Sequence, residues 1–140
     1  MFGKVGGFAA SIDLATLNGV NGYRLDGIDA YDFSGRSVAS AGDVNGDGFG
    51  DLIIGANGGD PGGHEGAGES YVVFGKADGF TASLDLATLD GTNGFRLDGI
   101  DYGGGSGVSV ASAGDVNGDG FDDLIIGAIG GQSGGHYRAG

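Results

Sequence analysis

The strings DVNGDGFGD (43–51) and DVNGDGFDD (115–123) place oxygen-bearing side chains at positions 1, 3, 5 and 9 of a short loop, with glycine at position 6 where the chain must turn sharply. Ca²⁺ takes six to eight oxygens at about 2.3–2.6 Å, and a tight loop that turns alternate side chains inward can supply them. In the first copy the ligand set is Asp43, Asn45, Asp47 and Asp51, with the backbone carbonyl of Phe49 as a further donor. In the second copy it is Asp115, Asn117, Asp119 and Asp123, with the carbonyl of Phe121. Asp122 stands where the first copy has Gly50, between two ligand positions, and is expected to point to water. Mg²⁺ demands a stricter octahedron and more retained water, so Ca²⁺ suits this spacing better.

Two other readings compete. Asp, Asn and Gly favour solvated turns in any case, and paired carboxylates can act as acid and base. The repetition of the whole spacing argues against the first. The lack of a neighbouring nucleophile or a separated second carboxyl argues against the second. The loop resembles the first half of an EF-hand loop but departs from it at position 12, where Ile54 and Ile126 replace the bidentate glutamate. No helical pattern flanks the loop. A strand enters and a strand leaves, so the expectation is a calcium-binding β-hairpin.

The elements that position these loops come in two copies. Setting each residue from 1 to 68 against the residue 72 places later gives 49 identities in 68 positions, so the whole chain, 1–140, is one repeat region with units of about 1–72 and 73–140. GRSVASAGD (35–43) is a strand of small residues with Val38 as its main apolar side chain, suited to a crowded position. DLIIGA (51–56) is a continuous apolar run, the pattern of a strand buried on both faces. ESYVVFG (69–75) is rich in β-branched and aromatic residues. NGFRLDG (93–99) alternates Phe95 and Leu97 with Arg96 and Asp98, as a half-exposed outer strand would. SIDLATLNG (11–19) and SLDLATLDG (83–91) carry an aspartate at a possible cap before a helical turn, and their state stays open.

Four short strands per unit are the grammar of a β-propeller blade, a four-stranded antiparallel sheet. The fold expected is therefore all-β, with a complete blade over about 35–99 and strands at about 36–42, 51–56, 69–75 and 94–98. A sandwich or an open solenoid is the alternative. The unit exceeds a common blade of about 40–50 residues, and the excess falls in 57–68 and 5–20.

Composition narrows the partners. Gly accounts for 36 residues, but 39% of the chain is hydrophobic in strand-sized runs, so the glycines are positional rather than a sign of disorder. A net charge of −13 disfavours nucleic acid and anionic membranes and favours cations. Cysteine is absent, so neither disulfides nor thiolate metal sites can form. No apolar run is long enough to span a membrane as a helix. His64 and His136 read as solvated loop residues, and Arg24 with Asp26 and Arg96 with Asp98 as surface ion pairs worth under ~1 kcal/mol. Tyr31, Phe33, Tyr102 and Tyr137 lie where the copies differ most and could stack on a glycan or protein, or cover the blade edge. No catalytic constellation can be built from the inventory.

Taken together, FSG, GDVNGDGFGDLIIGA and YVVFGK resemble the FG-GAP repeat of integrin α-subunit β-propellers, and more closely the tandem FG-GAP repeats of bacterial calcium-dependent surface proteins. The resemblance implies an extracellular or cell-surface, non-enzymatic adhesion or scaffold module whose hairpin loops bind Ca²⁺. The Pro of the eponymous GAP is missing, with Asn57 and Ile129 in its place. Phe2-Gly3-Lys4 matches the tail of the third strand and Gly140 matches Gly68, so one blade is expected to be split between the termini. Neighbouring repeats, or copies of the chain assembling into a ring or filament, would complete it.

Overall fold

Eight strands and three single 3₁₀ turns make up the computed structural model, which describes residues 1–131. The strands are β1 (Arg24–Asp26), β2 (Ser37–Gly42), β3 (Asp51–Ala56), β4 (Glu69–Val73), β5 (Ser83–Asp85), β6 (Gly94–Asp98), β7 (Ser109–Gly114) and β8 (Asp123–Gly127). Strands β2, β3, β4 and β6 form one antiparallel sheet in that order. Strands β7 and β8 repeat the β2–β3 hairpin with the same register, Val110 opposite Ile126 as Val38 is opposite Ile54. Among the described residues no helix is long and apolar enough to cross a membrane.

The central sheet is buried on both faces, which is what the unbroken apolar run of β3 and the β-branched run of β4 require. One face carries Ile54, Ala56, Tyr71 and Val73, packed with Leu86 and flanked by Leu25, Phe80, Leu84 and Leu89. The other carries Ala41, Ile53 and Val72, packed against Val110 and flanked by Phe74, Phe95, Leu97, Leu124 and Ile126. The two edge strands alternate: in β6 Arg96 and Asp98 are exposed beside half-buried Phe95 and Leu97, and in β2 Val38 and Ser40 are exposed between Ser37, Ala39 and Ala41. The β7–β8 hairpin thus lies against one face of a four-stranded blade, and β1 with its neighbours lies against the other.

Segments 11–19 and 83–91 resolve differently from one another. Each makes a 3₁₀ turn, Leu14–Thr16 and Leu86–Thr88, capped by an aspartate carboxylate that accepts an N–H at 2.9 Å, from Ala15 to Asp13 and from Ala87 to Asp85. Only the second copy adds a strand, because β5 pairs in parallel with β1, Leu84 opposite Leu25. That pairing is tertiary and leaves no trace in the local pattern. Val38 also departs from expectation: it is 66% exposed, whereas its counterpart Val110 is 6% exposed. Strand β2 covers Val110, and Ser37 accepts a hydrogen bond from the Val110 N–H at 3.0 Å, but nothing in the described chain covers Val38 in the same way.

The loop from β1 to β2 carries strain. Tyr31 and Phe33 have φ of 74° and 56°, and their counterparts are Gly103 and Gly105 at 66° and 62°. The two loops are held in the same way at their midpoints, since Gly58 N–H donates to Asp32 O at 3.0 Å just as Gly130 N–H donates to Gly104 O at 2.8 Å. A left-handed side-chain-bearing residue costs about 1–2 kcal/mol, partly offset by the entropy glycine loses on folding. Tyr31 is 84% exposed and holds little packing in return. Tyr31→Gly is therefore expected to raise stability by about 0.5–1 kcal/mol, measured as a higher urea midpoint at unchanged slope.

Candidate metal centre

Each hairpin loop begins at a bulge. The β2–β3 register shifts between Ser40 and Gly42, and the β7–β8 register between Ser112 and Gly114. Gly42 and Gly114 sit at φ of 80° and 69°, and their N–H groups reach the Ser40 and Ser112 hydroxyls at 3.3 and 3.1 Å. The bulge bends the strand and aims the following aspartate into the loop.

Within the loop the acidic side chains gather the backbone around them. Asp43 Oδ1 accepts from the N–H groups of Gly46 at 2.7 Å and Asp47 at 3.1 Å, and Oδ2 accepts from Gly48 at 2.8 Å. The Asp47 N–H is shared with Asn45 Oδ1 at 3.0 Å, so the Asp43 carboxylate and the Asn45 amide oxygen meet at one point. Asn45 Nδ2 donates to Asp47 Oδ2 at 3.0 Å, and Phe49 N–H donates to Asp47 Oδ1 at 2.9 Å. The second copy repeats the backbone N–H bonds of this pattern through Asp115, Asn117 and Asp119 with distances of 2.7–3.1 Å. The Gly120 N–H leads the loop amides that hold the Asp115 carboxyl below the usual carboxylate range.

The ninth position is tied into the fold. Asp51 is 1% exposed, and its two oxygens accept from Val44 N–H at 2.9 Å and from Gly75 N–H at 2.8 Å. It therefore ties the start of its own loop to the segment leaving β4. Burial pushes its carboxyl above the usual range, against the pull of those two amides. Asp123 is less buried: it accepts from Val116 N–H at 2.9 Å and faces Asn117 Nδ2 across the loop at 3.5 Å.

The donors are hard oxygens, and Asp43, Asn45 and Asp47 are brought side by side in each copy, which fits a cation of the Ca²⁺ type. Three carboxylates do not converge anywhere among the described residues. Each is shared among loop amides: Oδ1 of Asp43 and of Asp115 accepts two N–H groups, whereas Oδ2 of each accepts one and retains a further lone pair for an ion. Phe49 and Phe121 follow the fifth-position aspartates and are 42% and 45% exposed at the loop tips.

Asp122 corrects the expectation that it points to water. Its carboxylate accepts the Asp43 N–H at 2.8 Å, and its own N–H donates to Asp43 O at 3.1 Å, so it clasps the first hairpin from the second. A Cβ on Gly42 would collide with the Asp122 carboxylate, and one on Gly46 would run into the Phe121 ring. The signal was present in the sequence as a departure, Gly50 against Asp122, inside an otherwise identical string.

The matching stretches cover these hairpins and the strands around them: residues 34–73 and 106–140 each match the FG-GAP repeat. The chain belongs to the FG-GAP repeat family. Its blades are therefore FG-GAP propeller blades, and β2-β3-β4-β6 is one of them. This FG-GAP chain is 31% identical to integrin alpha-IIb of Mus musculus over 115 residues, 82% of the chain and 10% of that protein. It is 34% identical to integrin alpha-5 of Xenopus laevis over 106 residues, 76% of the chain and 9% of that protein. To integrin alpha pat-2 of Caenorhabditis elegans it is 36% identical over 119 residues, 82% and 9% respectively. The chain thus spans about a tenth of the length of these relatives.

Other candidates of the FG-GAP chain lie elsewhere. His64 is exposed, and its Nδ1 lies 3.1 Å from Ile100 O; His136 and Tyr137 fall outside the described residues. Arg24 pairs with Asp26, and Arg96 pairs with Asp98 at 2.6 Å and with buried Glu69 at 3.3 Å. Tyr31, Phe33 and Tyr102 are 84%, 57% and 66% exposed, and Tyr102 Oη donates to Glu65 at 2.5 Å. Between the first two sits Asp32, buried, whose carboxyl burial pushes above the usual range with the Asp29 and Asp60 charges adding to the shift. Since its folded value exceeds its unfolded one, its contribution to stability falls as pH rises past the ordinary carboxylate range near 4. Asp32→Asn removes that fall, so the variant should gain on the wild type between pH 4 and 7 in urea midpoints.

Proposed function

We propose that each DVNGDGF hairpin binds one Ca²⁺ and that the chain is a calcium-stabilised, non-enzymatic repeat module of an extracellular or cell-surface protein, with a scaffold or adhesion role. The ligands would be Asp43, Asn45, Asp47 and Asp51 with the Phe49 carbonyl, and Asp115, Asn117, Asp119 and Asp123 with the Phe121 carbonyl. The observation that carries this reading is the shared N–H of Asp47, and of Asp119, which draws a carboxylate and an amide oxygen together in both copies. The cation would neutralise the loop carboxylates in a chain of net charge −13 and fix the start of the buried strand. Membership of the FG-GAP family and the likeness to integrin α chains support the surface and adhesion role. The test is a thermal melt in calcium and in chelator: calcium should raise the midpoint, and an unchanged midpoint would sink the reading.

Residues 35–99 form the complete blade in this reading, and its partner on either side is a further FG-GAP unit. The support is a matching pair of exposed faces. Val38 and Leu52 are 66% and 37% exposed on one side, and Ile125 is 61% exposed on the other. Their repeat equivalents, Val110 and Leu124 on one hairpin and Ile53 on the blade, meet inside the chain. The outer faces thus carry the two halves of a contact the chain already makes, and a unit from a longer array or from another copy would complete it.

A further inference from the structure

We infer that Asp122 couples the two hairpins, so that a cation held by one strengthens the hold of the other. The inference rests on the calcium reading and goes beyond it, since two loops with the same ligands could equally act alone. Asp122 is flanked by Phe121 and Asp123, the seventh and ninth positions of the second loop. Its carboxylate and its N–H both engage the backbone of Asp43, the first position of the first loop, at 2.8 and 3.1 Å. The Phe121 ring also lies against Gly46, at the turn of that loop. A cation that fixes residues 121 and 123 therefore fixes Asp122 between them, and with it the backbone from which the Asp43 carboxylate projects. The ordering cost of the first loop is then met in part before its own ion arrives, which is positive coupling. Asp122 is a positioning residue in this scheme and ligates neither ion.

The test follows Ca²⁺ titrations of the full chain by amide NMR, reading Gly48 for the first loop and Gly120 for the second. Asp119→Ala, which disables the second loop, should raise the Gly48 midpoint roughly fivefold or more. Asp122→Gly, which copies Gly50 of the first unit, should raise it similarly, and adding Asp119→Ala to Asp122→Gly should change it no further. Asp122→Asn keeps an acceptor for the Asp43 N–H and should retain the native midpoint. Reciprocity requires Asp47→Ala to shift the Gly120 midpoint by the same factor, which serves as an independent readout should Asp119→Ala disturb folding. A Gly48 midpoint that ignores Asp119→Ala, or one that shifts equally with Asp122 present or absent, overturns the coupling and leaves the two calcium sites standing. No response of either glycine in the native chain overturns the calcium reading and the coupling with it.

Discussion

Chelating calcium should lower the melting temperature by roughly 6–15 °C. A ligand that binds only the folded state adds RT ln(1 + [L]/Kd) to stability. For affinities of about 10⁻⁴–10⁻³ M, usual for extracellular calcium modules, ~5 mM Ca²⁺ supplies about 1–2.3 kcal/mol per site. Two sites give about 2–5 kcal/mol, and a chain of 140 residues moves by about 3 °C per kcal/mol. The combined Asp47→Ala and Asp119→Ala variant should melt where the native chain melts in chelator, and chelator should then have no further effect. Matched ionic strength separates this from screening, because a net charge of −13 responds to any salt.

Asp51→Ala should cost more than the loss of either cation, about 3–5 kcal/mol, and should cost it in chelator too. The change orphans two N–H groups, from Val44 and Gly75, beneath a residue that is 1% exposed. Each stranded buried donor costs about 1–3 kcal/mol. Asp123→Ala should cost less, since Asp123 is half-buried and takes a single backbone N–H, from Val116. Denaturant curves in chelator read the difference directly. Equal costs would mean that Asp51 acts as an ion ligand alone.

The sequence carried the local half of this structure. The apolar run of β3, the β-branched run of β4 and the alternation of β6 specify strands and their faces, and all three pair in the order a blade needs. The D-x-N-x-D-G-x-x-D spacing located the loops because loop chemistry depends on neighbours in sequence. What depends on neighbours in space was not legible. Strand β5 exists because β1 lies beside it, and Val38 is exposed because nothing in the described chain lies over it as β2 lies over Val110. The same holds for Asp122, which taken alone is an exposed-looking turn residue and taken with Gly42 and Asp43 is a clasp. Asp51 shows both limits at once: its place in the spacing suggested a ligand, but its bond to Gly75, 24 residues on, makes it a structural tie.

The most direct test of the account is the number of calcium ions each chain takes up. Calorimetric titration of the full chain should give two equivalents in the native protein, one in Asp47→Ala, one in Asp119→Ala and none when both are changed. Uptake that stays at two in these variants, or an absence of saturable binding in the native chain, would contradict it.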